Sequence, residues 1–236
     1  MEERAIEALG MRLANRAYLY RIFHIIFGAE PSKEELSVLG SKETVDAAEY
    51  LADACRSEEL HDAAVLFSSL ADKAADGDYI ESMKSGFTKL FLVPGASYVH
   101  PWESPYIGKE TMLFQESTLD VRHRYAEYDF IAVEFGHFPE DHVSMMLDFL
   151  ARLGSRAFDE FEAGRDGEVE RILSSQKDFV ATHLLNWFAD FHAALCERDE
   201  TGVYSQLASA LQAFLLLDVQ FVDTALSEID AMGQGR

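Results

Sequence analysis

The chain has 236 residues, 48% of them hydrophobic, enough to bury a sizeable core in one large domain or two small ones. Against 20 Lys and Arg stand 42 Asp and Glu, a formal net charge of −22. That charge repels phosphate backbones and anionic lipid headgroups, so nucleic acid and membrane surfaces are poor partners, whereas a cationic peptide would be drawn in. Cys55 and Cys196, both inside apolar helical patterns, read as two buried thiols in a reducing compartment rather than as a disulfide framework. The opening MEERAIEALGMRLANRAYLY mixes charge into every turn, and no run reaches the roughly 18 apolar residues of a membrane span. The expectation is a soluble cytoplasmic protein without stable membrane insertion.

In chain order, the first segment places Ile6, Leu9, Leu13, Tyr20, Phe23 and Phe27 at spacings of three, four or seven, one apolar helical stripe ending before Gly28. Pro31 and Ser32, with Glu35 three residues on, form a capping-box signal for a short helix to about Leu39, broken by Gly40 and Ser41. Helical patterns follow at about 42 to 55, 59 to 75 and 78 to 92, separated by CRSEE and DGD. In the last, Phe87, Leu90 and Phe91 fall at i, i+3 and i+4 and share one face. The chain then enters VPGASYVHPWESPYIGKE, Val93 to Glu110, which holds three of the five prolines.

A helix is expected over 109 to 127, followed by the aromatic, non-periodic YDFIAVEFGHFPEDH as a connector. The helix from about 139 to 163 carries Val143, Met146, Phe149, Leu150 and Leu153 on one stripe and stops at GRDG. Two long helices finish the chain: 167 to 198, with Leu184, Trp187, Phe188 and Phe191 inward, and 201 to 231, with Leu207, Leu211, Phe214, Leu215 and Phe221 inward. No segment alternates with period two, so the expected fold is all-α, a single globular bundle of about nine to eleven helices.

Signatures of common enzymes are absent: GxGxxG, GxxxxGK[ST], HExxH and GxSxG do not occur. His137 and His142 are five apart with Pro139 between them, a spacing that does not set two metal ligands on one helical face. No catalytic residue, metal ligand or cofactor is assigned. Two constellations remain. In the proline-rich loop, Pro94-Gly95 suits a type II turn, and Pro101 and Pro105 would hold Trp102, Glu103 and Ser104 extended. Trp102 and Tyr106 either plug the bundle or, with Phe87, Leu90 and Phe91, line a groove for an apolar peptide with Glu103 offered to a cation at its edge.

The second is HFPEDHVSMMLDFL, His137 to Leu150. Pro139 fits a first helical position, and Glu140 and Asp141 in the first turn would complement the helix dipole, so capping explains both acids. Alternatively, Asp141, His142 and the flexible thioethers of Met145 and Met146 would hold an arginine and its apolar neighbours.

Together and in this order, FTKLFLVPGASYVHPWESPYIGKE, FPEDHVSMMLDFL and VATHLLNWFADF resemble the TorD/DmsD family of redox enzyme maturation chaperones, cytoplasmic proteins that bind the twin-arginine signal peptides of molybdenum-containing oxidoreductases. The likeness spans about 87 to 191, with His183, Trp187 and Phe191 falling as in relatives, while Glu140 stands where many relatives carry proline. It implies a TorD-like helical fold, a non-catalytic chaperone activity and an exported enzyme precursor as partner. It also implies signal-peptide contacts at Leu90, Phe91, Trp102, Glu103, Tyr106, Asp141 and His142. The alternatives are an assembly chaperone of the nitrate-reductase type that grips the catalytic subunit's body, or a helical metal- or nucleotide-dependent enzyme. Some relatives form domain-swapped dimers, so monomer and swapped dimer both stay open, with a hinge at 128 to 138 between two helical halves; the guanine nucleotide binding suggested for some relatives has no phosphate-loop signature here.

Overall fold

Short polar joints start the helices. In the computed structural model, which describes residues 2–108, 113, 115–131 and 139–234, Ser32 accepts the Glu35 amide at 3.1 Å while the Glu35 carboxylate accepts the Ser32 amide at 2.7 Å. Ser41, Ser57 and Asp76 cap the next three helices with side-chain oxygens. Left-handed residues follow two helix ends, Arg56 at φ 55° and Gly164 at φ 67°.

The described elements are α1 (Glu2–Gly28), α2 (Lys33–Leu39), α3 (Lys42–Cys55), α4 (Glu58–Lys73), α5 (Gly77–Phe87) running into a π-helical turn (Thr88–Leu92), α6 (Ser104–Ile107), α7 (Glu116–Ala126), α8 (Val143–Glu162), α9 (Asp166–His183), α10 (Phe188–Arg198) and α11 (Val203–Gln234). The fold is all-α, and among the described residues the only β-type pairing is an isolated bridge between Trp102 and His142.

Helix α1 lies at the centre. It packs along α8 and also touches α3 and α11, while α4 joins α11 to α2 and α3, and α9 joins α8 to α11. The α1–α8 approach is close because Gly154 has no side chain: a Cβ there would sit 2.9 Å from the Ala17 Cβ. The predicted stripes are inward as read, with Leu9, Leu13, Tyr20 and Phe23 of α1, Phe149 and Leu150 of α8, and Leu207 and Leu211 of α11 all buried.

The bundle also buries a polar network. Arg16 of α1 forks onto Asp218 of α11, donating Nε–H to one carboxylate oxygen and Nη2–H to the other at 3.0 Å, and its Nη1 donates to Gln176 Oε1 of α9 at 2.8 Å. Tyr20 donates to Asp218 at 2.6 Å, and Gln176 returns a bond to the Leu150 carbonyl of α8 at 2.8 Å. Four helices are thereby fixed in register by groups that bury almost no unmet hydrogen-bonding capacity. Helix α11 is long and apolar enough over 203–231 to cross a membrane, but half of that stretch is buried, and Asp218 lies 2% exposed in its middle.

Several boundaries differ from the sequence reading. The helix expected over 167–198 breaks at 184–187 into α9 and α10, although no Gly or Pro marks the place. The helix expected from 139 begins at Val143, and the one expected from 109 begins at Glu116, residues 109–112 and 114 lying outside the described set. Gly95 is not among the positive-φ glycines, so the turn is not the expected type II at Pro94-Gly95; it closes instead with Tyr98 N–H donating to the Gly95 carbonyl at 3.2 Å. Cys55 is half-buried and Cys196 exposed, not two buried thiols. Most of the expected hinge, 132–138, including His137, lies outside the described residues.

Replacing Arg16 with Met strands the Asp218 charge in the core, and the expected loss is about 3–5 kcal/mol. The double variant Arg16→Met/Asp218→Leu recovers most of it. Urea denaturation of both checks this.

Candidate functional site

The two sequence constellations meet. Val143 N–H donates to the Pro101 carbonyl at 2.8 Å and Glu103 N–H to the Asp141 carbonyl at 3.1 Å, which makes the bridge between Trp102 and His142. Asp141 Oδ2 also accepts the Ser104 amide at 2.8 Å. Asp141 therefore caps the short α6, not the first turn of α8 as its sequence position implied. Glu140 does not cap α8 either: it is 1% exposed and takes a bidentate pair from Arg122 of α7 at 2.9 and 3.0 Å, while Tyr125 donates to its carbonyl at 3.0 Å. The residue that does cap α8 is His142, whose Nδ1 accepts the Ser144 amide at 3.1 Å.

That bond requires an unprotonated Nδ1. Burial, followed by the neighbouring His24, draws the His142 imidazole down from its ordinary 6.5 to about 4. Its ring meets Trp102 edge to face, centroids 5.1 Å apart. Trp102 is 9% exposed, and its indole N–H has no partner. The bundle-plug reading thus describes most of this side chain.

Glu103 is not extended and not at an edge. Its backbone is helical at φ −65°, ψ −47°, and its side chain is fully buried. The carboxylate meets His183 Nδ1 at 3.1 Å and accepts Asn186 Nδ2–H at 3.2 Å. Burial raises its pKa, opposed by the bonds from His183 and Asn186. On the other side of the ring, His183 Nε2 lies 3.1 Å from Asp120 Oδ2 of α7, without the alignment of a hydrogen bond. The α9–α10 break makes this possible: Trp187 Nε1–H takes the His183 carbonyl at 2.6 Å, and the kinked segment points His183 and Asn186 at one carboxylate.

The other predicted contact residues divide by depth. Phe87, Leu90, Phe91 and Met146 are 3%, 2%, 4% and 0% exposed. The face shared by Phe87 and Phe91 is turned to the core, where Phe91 packs on Phe27, Phe191 and Tyr204 at 5.6 to 6.2 Å, while Leu90 borders a separate cavity of about 420 Å³ beside Lys89 and Arg198. Tyr106 is half-buried, stacked on Trp187 at 5.2 Å and bonded to the His100 carbonyl at 3.0 Å. Asp120, Arg122 and Asn186 were missed by the sequence reading, and nothing local to them signals a role.

Among the described residues, eight buried side-chain polar atoms lack a hydrogen-bond partner, and six of them gather here: Trp102 Nε1, Ser104 Oγ, Ser117 Oγ, Thr118 Oγ1, Asp141 Oδ1 and His183 Nε2. No group of three His, Cys, Asp or Glu that could hold a metal occurs among the described residues.

This architecture is an all-helical bundle with two irregular motif-bearing loops stitched together around buried acids. The chain belongs to the family described as nitrate reductase delta subunit, whose model matches residues 48–193, more than half its length, and which includes the TorD chaperones. It is 28% identical over 208 residues to the chaperone protein TorD of Aliivibrio fischeri, covering 88% of this chain and 94% of the relative. Against TorD of Vibrio cholerae it is 26% identical over 214 residues, covering 90% and 94%. The fold is also that of a crystal structure described as a redox enzyme maturation protein from Archaeoglobus fulgidus, with a TM-score of 0.51 and 20% identity over 85% of this chain and 93% of that one. The relatives are named as chaperones and maturation proteins, and the chain is by family a maturation chaperone.

The His142 geometry predicts a pH effect. An unfolded imidazole binds its proton near 6.5 and the folded one near 4, so between these values the unfolded chain holds more protons. Stability is expected to fall as pH drops from about 6.5 to about 4, by up to ~3 kcal/mol. Urea midpoints across that window should flatten in His142→Asn, which keeps an acceptor for Ser144 but does not titrate.

Proposed function

We propose that the protein is a cytoplasmic, system-specific chaperone that binds the twin-arginine signal peptide, and through it the apo form, of a molybdenum-containing oxidoreductase, delaying export until the cofactor is inserted. The observation that carries this reading is the junction itself. The Trp-Glu-Ser loop and the Glu-Asp-His loop, 37 positions apart at Ser104 and Asp141, are bonded into one junction that is buried at Glu103, Ser104 and Asp141 and reaches solvent at Tyr106, His142 and the rim of Trp102. A twin-arginine signal presents cations followed by an apolar stretch, and an acidic chain with a partly open aromatic edge complements both. Tyr106, His142 and the exposed rim of Trp102 are the contact residues in this reading. Glu103 and Asp141 shape the patch from beneath, and Phe87, Leu90, Phe91 and Met146 support it from the core.

The energetics divide between approach and hold. Exposed charge pairs contribute about 0–1 kcal/mol each, whereas burial of one leucine or phenylalanine of the peptide contributes about 1.5–3 kcal/mol. Salt is therefore expected to weaken binding without abolishing it.

The family description, nitrate reductase delta subunit, is compatible with a second reading, in which the protein grips the folded body of a catalytic subunit. Co-purification with a precursor lacking its signal peptide separates the two. The signal-peptide reading expects capture to drop at least about tenfold, the equivalent of 1.4 kcal/mol. Undiminished capture of the truncated precursor supports the body-binding reading instead.

A further inference from the structure

The last turn of α1 is clasped to the first turn of α8 by reciprocal hydrogen bonds. The Ser144 hydroxyl, on a residue 4% exposed, donates to the His24 carbonyl at 3.1 Å. In return, His24 Nδ1 lies 2.9 Å from the Ser144 carbonyl oxygen and 2.8 Å from Ser144 Oγ. A carbonyl oxygen only accepts, so Nδ1 carries a hydrogen and shares it between the two oxygens. Gly28 leaves room for the clasp, because a Cβ there would fall 2.8 Å from Ser144 Oγ.

The clasp reaches one residue further. The Ser144 amide is among the donors that the start of α8 cannot pair within the helix, and it donates to His142 Nδ1 at 3.1 Å. A backbone amide only donates, so the His142 lone pair sits on Nδ1, and the ring, uncharged at neutral pH, holds its one hydrogen on Nε2. Among the described residues Nε2–H has no partner; the half-buried ring opens to solvent beside Trp102. On its other flank His142 is fixed by the backbone bonds from Val143 to Pro101 and from Glu103 to Asp141. What remains is one outward N–H of set direction. A guanidinium or an ammonium, which only donates, cannot pair with it, whereas a main-chain carbonyl, which only accepts, can.

We propose that His24 and Ser144 are positioning residues that hold His142 in the Nε2–H form, and that His142 recognises a main-chain carbonyl of the bound peptide rather than an arginine. The assignment rests on the signal-peptide reading above.

The test titrates labelled synthetic peptides carrying Arg-Arg, or Lys-Lys in its place, into wild-type protein, His142→Asn, His24→Leu and His24→Asn, with circular dichroism melting of each. Nitrogen-15 spectra of the imidazoles accompany the wild-type and His24→Leu titrations. Asn at 142 keeps an acceptor for Ser144 and lacks the outward N–H, so at neutral pH the fold should persist while both peptides weaken about five- to tenfold and the Arg-Arg preference over Lys-Lys stays unchanged. His24→Leu, which removes the donor to Ser144, is expected to weaken both peptides about threefold and to mix the His142 tautomers. His24→Asn, whose amide offers a donor near the place of Nδ1, restores binding. In the wild-type chain, the His142 Nε2 resonance moves on saturation with the Arg-Arg peptide. Wild-type affinity in His142→Asn, a loss confined to the Arg-Arg peptide, or an unmoved Nε2 resonance overturns the carbonyl contact and leaves the signal-peptide reading standing. Wild-type affinity in His24→Leu, or a loss that His24→Asn does not restore, overturns the positioning role. No binding of either peptide by the wild-type chain overturns the signal-peptide reading, and this assignment with it.

Discussion

A loop that crosses the inside of a helical bundle must find hydrogen-bond partners for its own backbone, because the flanking helices have already paired theirs. Residues 101–104 solve this by borrowing from residues 141–143: two backbone bonds and one carboxylate bond join segments nearly forty positions apart. Everything distinctive about the site follows from that exchange. It sets Trp102 against His142, starts α6, and turns the Glu103 side chain inward to His183.

The same exchange explains why acids are buried in a chain that has 42 of them and every chance to keep them in water. Four carboxylates are essentially inaccessible, and they are matched unequally. Asp218 has Arg16, and Glu140 has Arg122, each in a forked geometry that offsets desolvation. Glu103 has an imidazole and an amide, and Asp141 has one backbone amide with its second oxygen unmet. The first two are complete and hold helices in place. Of the last two, only Asp141 keeps an unmet oxygen, while Glu103, met by His183 and Asn186, lies on the floor of a groove of about 810 Å³ between α6, α7 and the end of α9.

The helices were legible because a buried stripe leaves a 3.6-residue period, and α1, α8 and α11 bury the residues that period marks. What a period does not tell is which side of a shared face meets solvent in a protein of many packed helices. Phe87, Leu90 and Phe91 do sit together, but Phe87 and Phe91 face the core and only Leu90 borders a cavity. The break at 184–187 has no Gly or Pro to announce it: the Trp187 side chain takes the His183 carbonyl locally, and the distant Glu103 takes the side chains of His183 and Asn186. Asp141 was hidden for a related reason. Its position before α8 has the local look of a cap, whereas the helix it caps lies 37 residues earlier in the chain.

The short α6 shows how closely the groove depends on these distant bonds. Four residues make barely one helical turn, too little to be stable alone, and nucleation of so short a helix is unfavourable without outside partners. Asp141 supplies a partner at its start, and Gln115 donates to the Ser104 carbonyl at 3.1 Å from the other side. Gly108 makes room for that glutamine: a Cβ there would fall 2.0 Å from the Gln115 Oε1 atom. Ile107, which lines the groove with Gln115, thus takes its position from bonds contributed by two other segments of the chain. The shape of this edge is therefore decided by Asp141 and Gln115 rather than by α6 itself.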